Sequence, residues 1–104
     1  WGCRGLREVL LNEGLKKIGL WAFWYCRSLE AISFPSSLIE IGNHAFYGCS
    51  RLREVVINEG LKKIGDGAFE GCESLEGIAF PSTLTEVGDA AFCGCHDLRP
   101  RLVK

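Results

Sequence analysis

The spacing of the cysteines constrains the fold of this chain more than any other feature of the sequence. Five of the six cysteines follow one another at intervals of 23 residues, from Cys3 to Cys95. Phenylalanine, alanine, glycine, leucine and branched aliphatic residues recur at the same interval. The phenylalanine column consists of Phe23, Phe46, Phe69 and Phe92. Apolar columns with a fixed period of this length are typical of stacked repeats, because one unit alone cannot bury its hydrophobic side chains and a stack of units makes a continuous core.

One unit reads C-x-x-L-x-x-(V/I)-x-(L/I/F)-(N/P)-x-x-L-x-x-(I/V)-G-x-x-A-F-x-x. The alternation in "LREVLLN" predicts a short parallel strand with Val9 and Leu11 inward and Leu10 outward. The segment "AFEGC" is too short for a stable α-helix and indicates a turn or a 3-10 segment. We therefore predict the α/β class and a right-handed leucine-rich-repeat solenoid. It would have one short parallel β-sheet on its concave face, and turns or short 3-10 or helical segments on its convex side.

The repeat pattern predicts a single leucine-rich-repeat domain over residues 1–104. Its units are residues 3–25, 26–48, 49–71 and 72–94, followed by a partial unit over residues 95–104. In the partial unit, Arg101 falls where the pattern has an inward apolar residue, so we expect a frayed end or the beginning of a cap. The chain contains no methionine, and we therefore expect it to be a processed chain or a fragment of a longer one.

Two kinds of unit alternate along the chain. "NEGLKKIGLWAF" begins at Asn12 and "NEGLKKIGDGAF" begins at Asn58, 46 residues later, whereas the units between and after them contain "FPS". Two exposed columns alternate in charge as a result. They are Arg7, Glu30, Arg53 and Glu76, and Lys17, Glu40, Lys63 and Glu86. Neighbouring strands lie about 4.8 Å apart, so this alternation predicts opposite charges side by side and sets which unit stacks on which.

The segments "FPSSLIEIGNHAFYGCSRL" and "FPSTLTEVGDAAFCGCHDL" resemble the BspA-type leucine-rich repeats. That family is known from bacterial surface proteins and from protists and algae. The resemblance extends from Cys3 to Leu98, although Asn12 and Asn58 replace the proline of the motif in alternate units. It implies a protein-binding or adhesion scaffold and no catalytic residue.

Charge and composition argue against several other classes of protein. A net charge of −1 gives no basic surface for nucleic acid. The longest apolar stretch, residues 18–26, is half the length of a membrane span. His44 and His96 have no catalytic partner at a recognisable spacing, and the glycines follow the repeat rather than a phosphate-binding loop. We therefore predict no enzymatic activity, no cofactor and no small-molecule substrate.

The cysteine column is predicted to consist of buried, reduced thiols, because parallel Cβ directions keep neighbouring sulfur atoms from disulfide geometry. Disulfides remain the alternative, since stacked Cα atoms would be in bridging range. Cys93 lies outside the column, in the fragment "CGCH" that ends at His96. This fragment lacks the second pair of ligands that a zinc site needs, so we predict no metal.

The aromatic residues of the first unit are the strongest candidates for a binding site. Trp21, Trp24 and Tyr25 occupy positions that vary between units, with His44 and Tyr47 at corresponding or adjacent positions of the next unit. We predict that they form a contact patch for a partner protein. The alternative is that they cover an exposed N-terminal edge or pack on an upstream unit.

The outward side of the strands is a second candidate surface, with Leu10 and Val56 as its apolar positions. The predicted function is a non-catalytic protein–protein interaction module or a structural scaffold within a larger assembly. The alternative is a cell-surface adhesin region that binds a matrix protein or a glycan. The sequence predicts no compartment.

Overall fold

The computed structural model describes Gly5, residues 7–95 and the backbone of residues 99–102. Within these residues the regular structure consists of short strands. They are Glu8–Leu10 (β1), Lys17–Ile18 (β2), Ala31–Ser33 (β3), Glu40–Ile41 (β4), Glu54–Val56 (β5), Lys63–Ile64 (β6), Gly77–Phe80 (β7), Glu86–Val87 (β8) and Arg99–Leu102 (β9).

The strands form two parallel sheets, with the orders β1-β3-β5-β7-β9 and β2-β4-β6-β8. From β1 to β8, paired residues are one repeat apart, as in Val9 with Ile32 and Ile18 with Ile41. The first sheet is the one predicted, and Leu10 points outward as expected, with 86% of its surface exposed. The second sheet was not predicted, because a two-residue strand is too short to show alternation.

The segments that follow the second sheet are turns, and the described residues include no α-helix or 3-10 helix. In these turns alternate N–H groups donate to the next unit. Phe23 donates to the carbonyl of Ala45 at 2.7 Å and Tyr25 to that of Tyr47 at 2.8 Å. N–H groups that donate hydrogen bonds to the neighbouring unit cannot also donate the hydrogen bonds of a helix. Of the predicted possibilities, turns are therefore the one observed, and the described residues form a parallel β-solenoid without the helical part of the predicted α/β class.

The core is built from the predicted apolar columns. The rings of Phe46 and Phe69 are fully buried and nearly parallel, with centroids 5.1 Å apart. Phe23 and Phe92 continue this stack at its two ends and are only partly buried. Leucine, isoleucine and cysteine columns complete the same core, so each unit buries its apolar side chains against its neighbours.

The cysteine column contributes hydrogen bonds as well as packing. The thiol of Cys49 donates to the carbonyl of Phe23 at 3.1 Å, and that of Cys72 to the carbonyl of Phe46 at 3.2 Å. Cys26, Cys49 and Cys72 are buried, as predicted, and Cys93 is exposed. Burial raises the pKa of the Cys72 thiol far above its ordinary value. Cys3 lies outside the described residues.

The predicted charge alternation is present in the register of the second sheet. Lys17 pairs with Glu40, and Lys63 pairs with Glu86. The Nζ of Lys63 lies 3.5 Å from Oε2 of Glu86. In the other column, Arg53 Nη2 lies 3.4 Å from Oε1 of Glu30.

Hydrogen bonds that were not predicted follow the same alternation. Ser36 donates from its backbone N–H and its hydroxyl to the Glu13 carboxylate, at 3.1 and 2.6 Å. The Ser82 hydroxyl donates to Glu59 in the same way, two units later, at 3.2 Å. The "NEG" units and the "FPS" units are thus complementary in hydrogen bonding as well as in charge.

The last strand departs from the repeat by one residue. Ile78 of β7 pairs with Pro100, and Ala79 pairs with Arg101. The alignment of Arg101 with the inward column of Ile78, which the pattern predicts, is not observed, because β9 pairs one residue out of the repeat. The expectation of a frayed end or a cap stays a prediction. In the observed register Arg101 stands opposite Ala79, which is an exposed position.

Candidate functional site

The five aromatic residues predicted to form a contact patch come together in the structure. They lie in the turns of the first two units and are called the aromatic cluster below. Its members are Trp21, Trp24, Tyr25, His44 and Tyr47. The turns bring them together because equivalent positions of neighbouring units are hydrogen-bonded side by side.

Each ring of the aromatic cluster contacts at least one other ring. Trp21 and His44 are stacked, with centroids 4.4 Å apart and planes 11° from parallel. The Trp24–Tyr25 and Tyr25–Tyr47 pairs are edge-to-face, at 4.8 and 5.5 Å. Such pairs contribute about 0.5–1.5 kcal/mol each beyond the burial of their surface. The cluster therefore holds its own shape.

The backbone of the aromatic cluster is unusual. Trp21, Tyr25 and His44 have φ angles of 61°, 54° and 57°, in the left-handed region. This conformation costs an L-residue roughly 1–2 kcal/mol. In the other units glycine stands at the position of Tyr25, as Gly48, Gly71 and Gly94. The first unit thus has a large aromatic side chain where the turn favours glycine.

Leu20 belongs beside the aromatic cluster and was not predicted as a site residue. Its column continues with Asn43, Asp66 and Asp89. Asn43 Oδ1 accepts the N–H of Asp66 at 2.8 Å, and Asp66 Oδ1 accepts that of Asp89 at 2.9 Å. The Leu20 side chain has no hydrogen-bond acceptor, and 61% of the surface of Leu20 is exposed, next to Trp21. A comparison of the residue types at this position in the four units would have identified Leu20 as a candidate site residue.

Two rings of the aromatic cluster lie against glycines of the following unit. A Cβ placed on Gly48 would be 2.5 Å from Cδ1 of Tyr25, and one on Gly67 would be 2.6 Å from Cδ2 of His44. These two rings thus extend toward the C-terminal neighbour. Trp21 remains 40% exposed.

Charged groups border the aromatic cluster at Tyr25 and Tyr47. The guanidinium carbon of Arg27 lies 5.1 Å from the centroid of the Tyr25 ring, within the range of a cation–π interaction. Repulsion between the ionised forms of Tyr47 and Tyr25 raises the pKa of Tyr47. The Tyr47 phenol therefore stays neutral at physiological pH and can donate a hydrogen bond.

The second candidate surface is separate from the aromatic cluster. Leu10 and Val56 lie on the first sheet, in β1 and β5, and are 86% and 54% exposed. Ser33 of β3 stands between them in the register. The structure therefore gives two isolated apolar side chains here rather than a continuous patch.

The described residues contain no candidate metal centre and no membrane-spanning helix. Within the described part of the chain, no group of three His, Cys, Asp or Glu side chains could hold a metal ion. His96, the last residue of the "CGCH" fragment, lies outside that part. In the described residues, no helix is both long and apolar enough to cross a membrane.

Comparison with solved structures found three bacterial leucine-rich-repeat proteins. A leucine rich cell surface protein of Faecalibacterium prausnitzii A2-165 is 30% identical, with a TM-score of 0.84 over 88% of this chain and 24% of that chain. A leucine rich repeat protein of T. pallidum is 30% identical, with a TM-score of 0.70 over 89% of this chain and 56% of that chain. One from Bacteroides ovatus, at 21% identity and a TM-score of 0.50, shares the fold. This chain thus spans about a quarter and about half of the first two.

A comparison with curated proteins found no match. The family described as "BspA type Leucine rich repeat region (6 copies)" matches residues 1–99, nearly the whole chain. Proteins with this fold are typically non-enzymatic and act in protein–protein interaction or at the cell surface. The predicted resemblance is confirmed, and this chain belongs to the BspA-type leucine-rich repeat family.

Proposed function

We propose that this chain is a non-catalytic protein-binding module that docks a partner protein, or a neighbour in a larger assembly, through the aromatic cluster and Leu20. The observation that carries the proposal is the contrast between equivalent turns. The first unit has Leu20, Trp21, Trp24 and Tyr25 where the third has Asp66, Gly67, Glu70 and Gly71. A turn that only had to close the solenoid would need none of the four large apolar side chains.

The backbone supports this reading. Trp21 and Tyr25 occupy left-handed positions at a cost of roughly 1–2 kcal/mol each, which glycine would avoid. Strained residues of this kind are found disproportionately at functional sites. The contacts among the rings offset part of this cost. The rings of the aromatic cluster are not needed to fill the core, because Phe46 and Phe69 already fill it.

The chemistry of the surface also favours the aromatic cluster over the strand face. Tryptophan and tyrosine are enriched among the residues that contribute most to binding energy. Leu10 and Val56 offer two separated aliphatic side chains with Ser33 between them. At the aromatic cluster a partner would cover Leu20 and Trp21, which are 61% and 40% exposed, together with the half-buried rings beside them.

A second candidate concerns where the chain acts. The similar protein of F. prausnitzii is described as a leucine rich cell surface protein. The 30% identity over 88% of this chain favours a region of a surface adhesin as the second candidate. A secretion signal in the full-length gene would support it, and the absence of one there would count against it.

The test replaces the first turn by the third. The variant Leu20→Asp, Trp21→Gly, Trp24→Glu and Tyr25→Gly gives the first unit residues that the same fold already accepts. The control variant carries Leu10→Ser and Val56→Ser on the strand face. Partners captured from the source organism by the native chain, and identified by mass spectrometry, should be lost with the turn variant and kept with the control.

A direct reading comes from tryptophan fluorescence with a purified partner. In a Trp1→Phe background the signal reports only Trp21 and Trp24, because the chain has three tryptophans. Partner binding should shift this emission to shorter wavelength as the rings leave water. If the control variant loses the partner while the turn variant retains it, the strand face is the binding surface and the proposal is wrong.

A further inference from the structure

A groove with a glycine floor begins at the edge of the aromatic cluster and runs along the stack of units. Its volume is about 370 Å³. The floor consists of Gly48, Gly71 and Gly94, all with φ between 74° and 83°. Because these three positions have no side chain, the units leave an open channel in which successive floor residues are one strand spacing apart, about 4.8 Å.

The ends and walls of the groove differ in chemistry. Tyr25 closes one end, and the Tyr47 ring stands perpendicular to it at 5.5 Å. The polar lining consists of Arg27, Ser50 and Glu73. It offers a cationic donor, a hydroxyl and an anionic acceptor, with no net charge. A ligand that fits has an apolar face for the ring and floor, and both donors and acceptors on its edges.

The backbone of the floor is already engaged. The N–H groups of Gly48 and Gly71 donate to the carbonyls of Glu70 and Cys93, both at 2.8 Å. The floor therefore cannot pair with the main chain of a peptide as a sheet edge would. Recognition in this groove depends on the aromatic rings and on the polar side chains.

We propose that this groove binds a neutral oligosaccharide of hexose units, laid along the solenoid with one sugar against Tyr25. A pyranose ring presents C–H groups on its faces, which pack on an aromatic ring and on a glycine floor, and hydroxyls on its edges that both donate and accept. Ser50 and Glu73 supply the matching partners, and so does Arg27 once its guanidinium, which lies 5.1 Å from the Tyr25 centroid, gives way to the sugar. Since no net charge lines the groove, sulfated or carboxylated sugars gain nothing over neutral ones. This site adjoins the protein-binding surface proposed above and shares Tyr25 and Tyr47 with it.

The test is a titration of the isotope-labelled chain, followed by amide NMR. The probes are cellohexaose, laminarihexaose, maltohexaose and mannohexaose, with decaproline as the peptide alternative. We expect one or more of the hexasaccharides to bind with a dissociation constant of about 1 mM or tighter. The saturable shifts should be confined to the amides of Gly48, Gly71 and Gly94 and their neighbours.

Two variants test the contacts. Tyr25→Gly gives the first unit the glycine that the other units have, and should weaken binding at least about tenfold while the chain remains folded. Gly71→Asn places a side chain on the floor, because asparagine tolerates a left-handed backbone and its Cβ would be 3.5 Å from the Cα of Gly48. It should also weaken binding.

Leu20→Asp is the control, since Leu20 does not line the groove. This variant should leave the affinity for sugar unchanged while it weakens binding of the protein partner. The failure of one proposal can therefore be distinguished from the failure of the other. The inference is overturned if none of the four sugars has a dissociation constant below about 10 mM, or if the amide shifts map outside the groove. It is also overturned if Tyr25→Gly binds the sugar as tightly as the native chain. Binding of decaproline alone would make the groove a peptide site and overturn it too.

Discussion

Phe46 and Phe69 show how single residues stabilise a stack of repeats. Each ring lies between two other phenylalanines of its column, and neither is accessible to solvent. Phe23 and Phe92 each have one described neighbour in the phenylalanine column and remain partly exposed. The contribution of a residue type to stability therefore depends on the place of its unit in the stack.

Truncation of Phe69 should be among the most damaging single changes. Phe69→Ala removes a fully buried ring and leaves a cavity that the flanking rings cannot fill, at a cost of about 3–5 kcal/mol in the free energy of unfolding. Phe92→Ala should cost clearly less, because its ring is already partly exposed. Urea denaturation of the two variants measures the difference, and equal small losses would contradict an interior position for Phe69.

The thiols should react in an order set by burial. A thiolate is the reactive species, and burial raises the pKa of Cys95 to about 11 and that of Cys72 higher still. In the native protein near pH 8, Cys93 should therefore react first with a thiol reagent. Cys95 should follow at a rate that rises with pH up to about 11, and Cys72 should not react before unfolding.

Mass spectrometry of the modified chain measures that order, and full denaturation should release close to six reactive thiols. The detection of two or more disulfides in the native chain would contradict a column of reduced thiols. It would instead indicate folding in an oxidising compartment.

At the scale of elements, the strand columns could be predicted and the turns could not. Leu10, Val9 and Leu11 follow a period of two, which identifies a strand and its faces. The pair Lys17–Ile18 is too short for any period, so the second sheet emerges only when the units are stacked. The left-handed backbone of Tyr25 was also hidden, because an aromatic residue does not indicate it.

The candidate site divides in the same way. A repeat makes variation between units visible within one sequence. That variation predicts the site residues Trp21, Trp24, Tyr25, His44 and Tyr47. Their ring contacts depend on side-chain angles that no column of letters contains. Arg101 could not be placed either, since a register shift of one residue leaves no trace in composition.

The glycine column allows the contact between Tyr25 and Gly48 to be isolated. Gly48→Ala and Gly71→Ala both impose a left-handed alanine, at about 1–2 kcal/mol. Only the first would also meet the Tyr25 ring, at 2.5 Å, whereas the Cβ at Gly71 would be 3.5 Å from its nearest neighbour. Gly48→Ala should therefore cost more, and the excess should vanish in a Tyr25→Gly background.

Thermal or urea unfolding of the native chain, Gly48→Ala, Tyr25→Gly and the double variant forms a double-mutant cycle, and Gly71→Ala is a separate reference. A cost at Gly48 equal to that at Gly71 in the native chain would mean that the ring does not lie against Gly48.

At the scale of the whole molecule, the alternation of the two kinds of unit determines how they stack. Glu13 accepts hydrogen bonds from Ser36, and Glu59 accepts one from Ser82. At the other type of junction, Asn58 Nδ2 donates to the carbonyl of Leu38 at 2.9 Å. Two "NEG" units in succession would place glutamate beside glutamate and lysine beside lysine. The 46-residue period is therefore a property of the interfaces, although the backbone repeats every 23 residues.

The kinds of unit that stack on one another should therefore affect stability when the number of units is held constant. One variant receives a copy of residues 26–71 after residue 71, which preserves the alternation. A second receives two further copies of residues 49–71 at the same point, which has the same added length but stacks three "NEG" units together. Each exposed like-charge contact costs about 0.2–1 kcal/mol, and the hydrogen bonds to serine are lost as well.

The alternating variant should therefore unfold at higher urea concentration than the variant with three "NEG" units in succession. Added salt should narrow the difference by screening the charges but should not abolish it, because the hydrogen bonds remain. Equal stability of the two variants would mean that the backbone and the apolar columns alone decide how units stack.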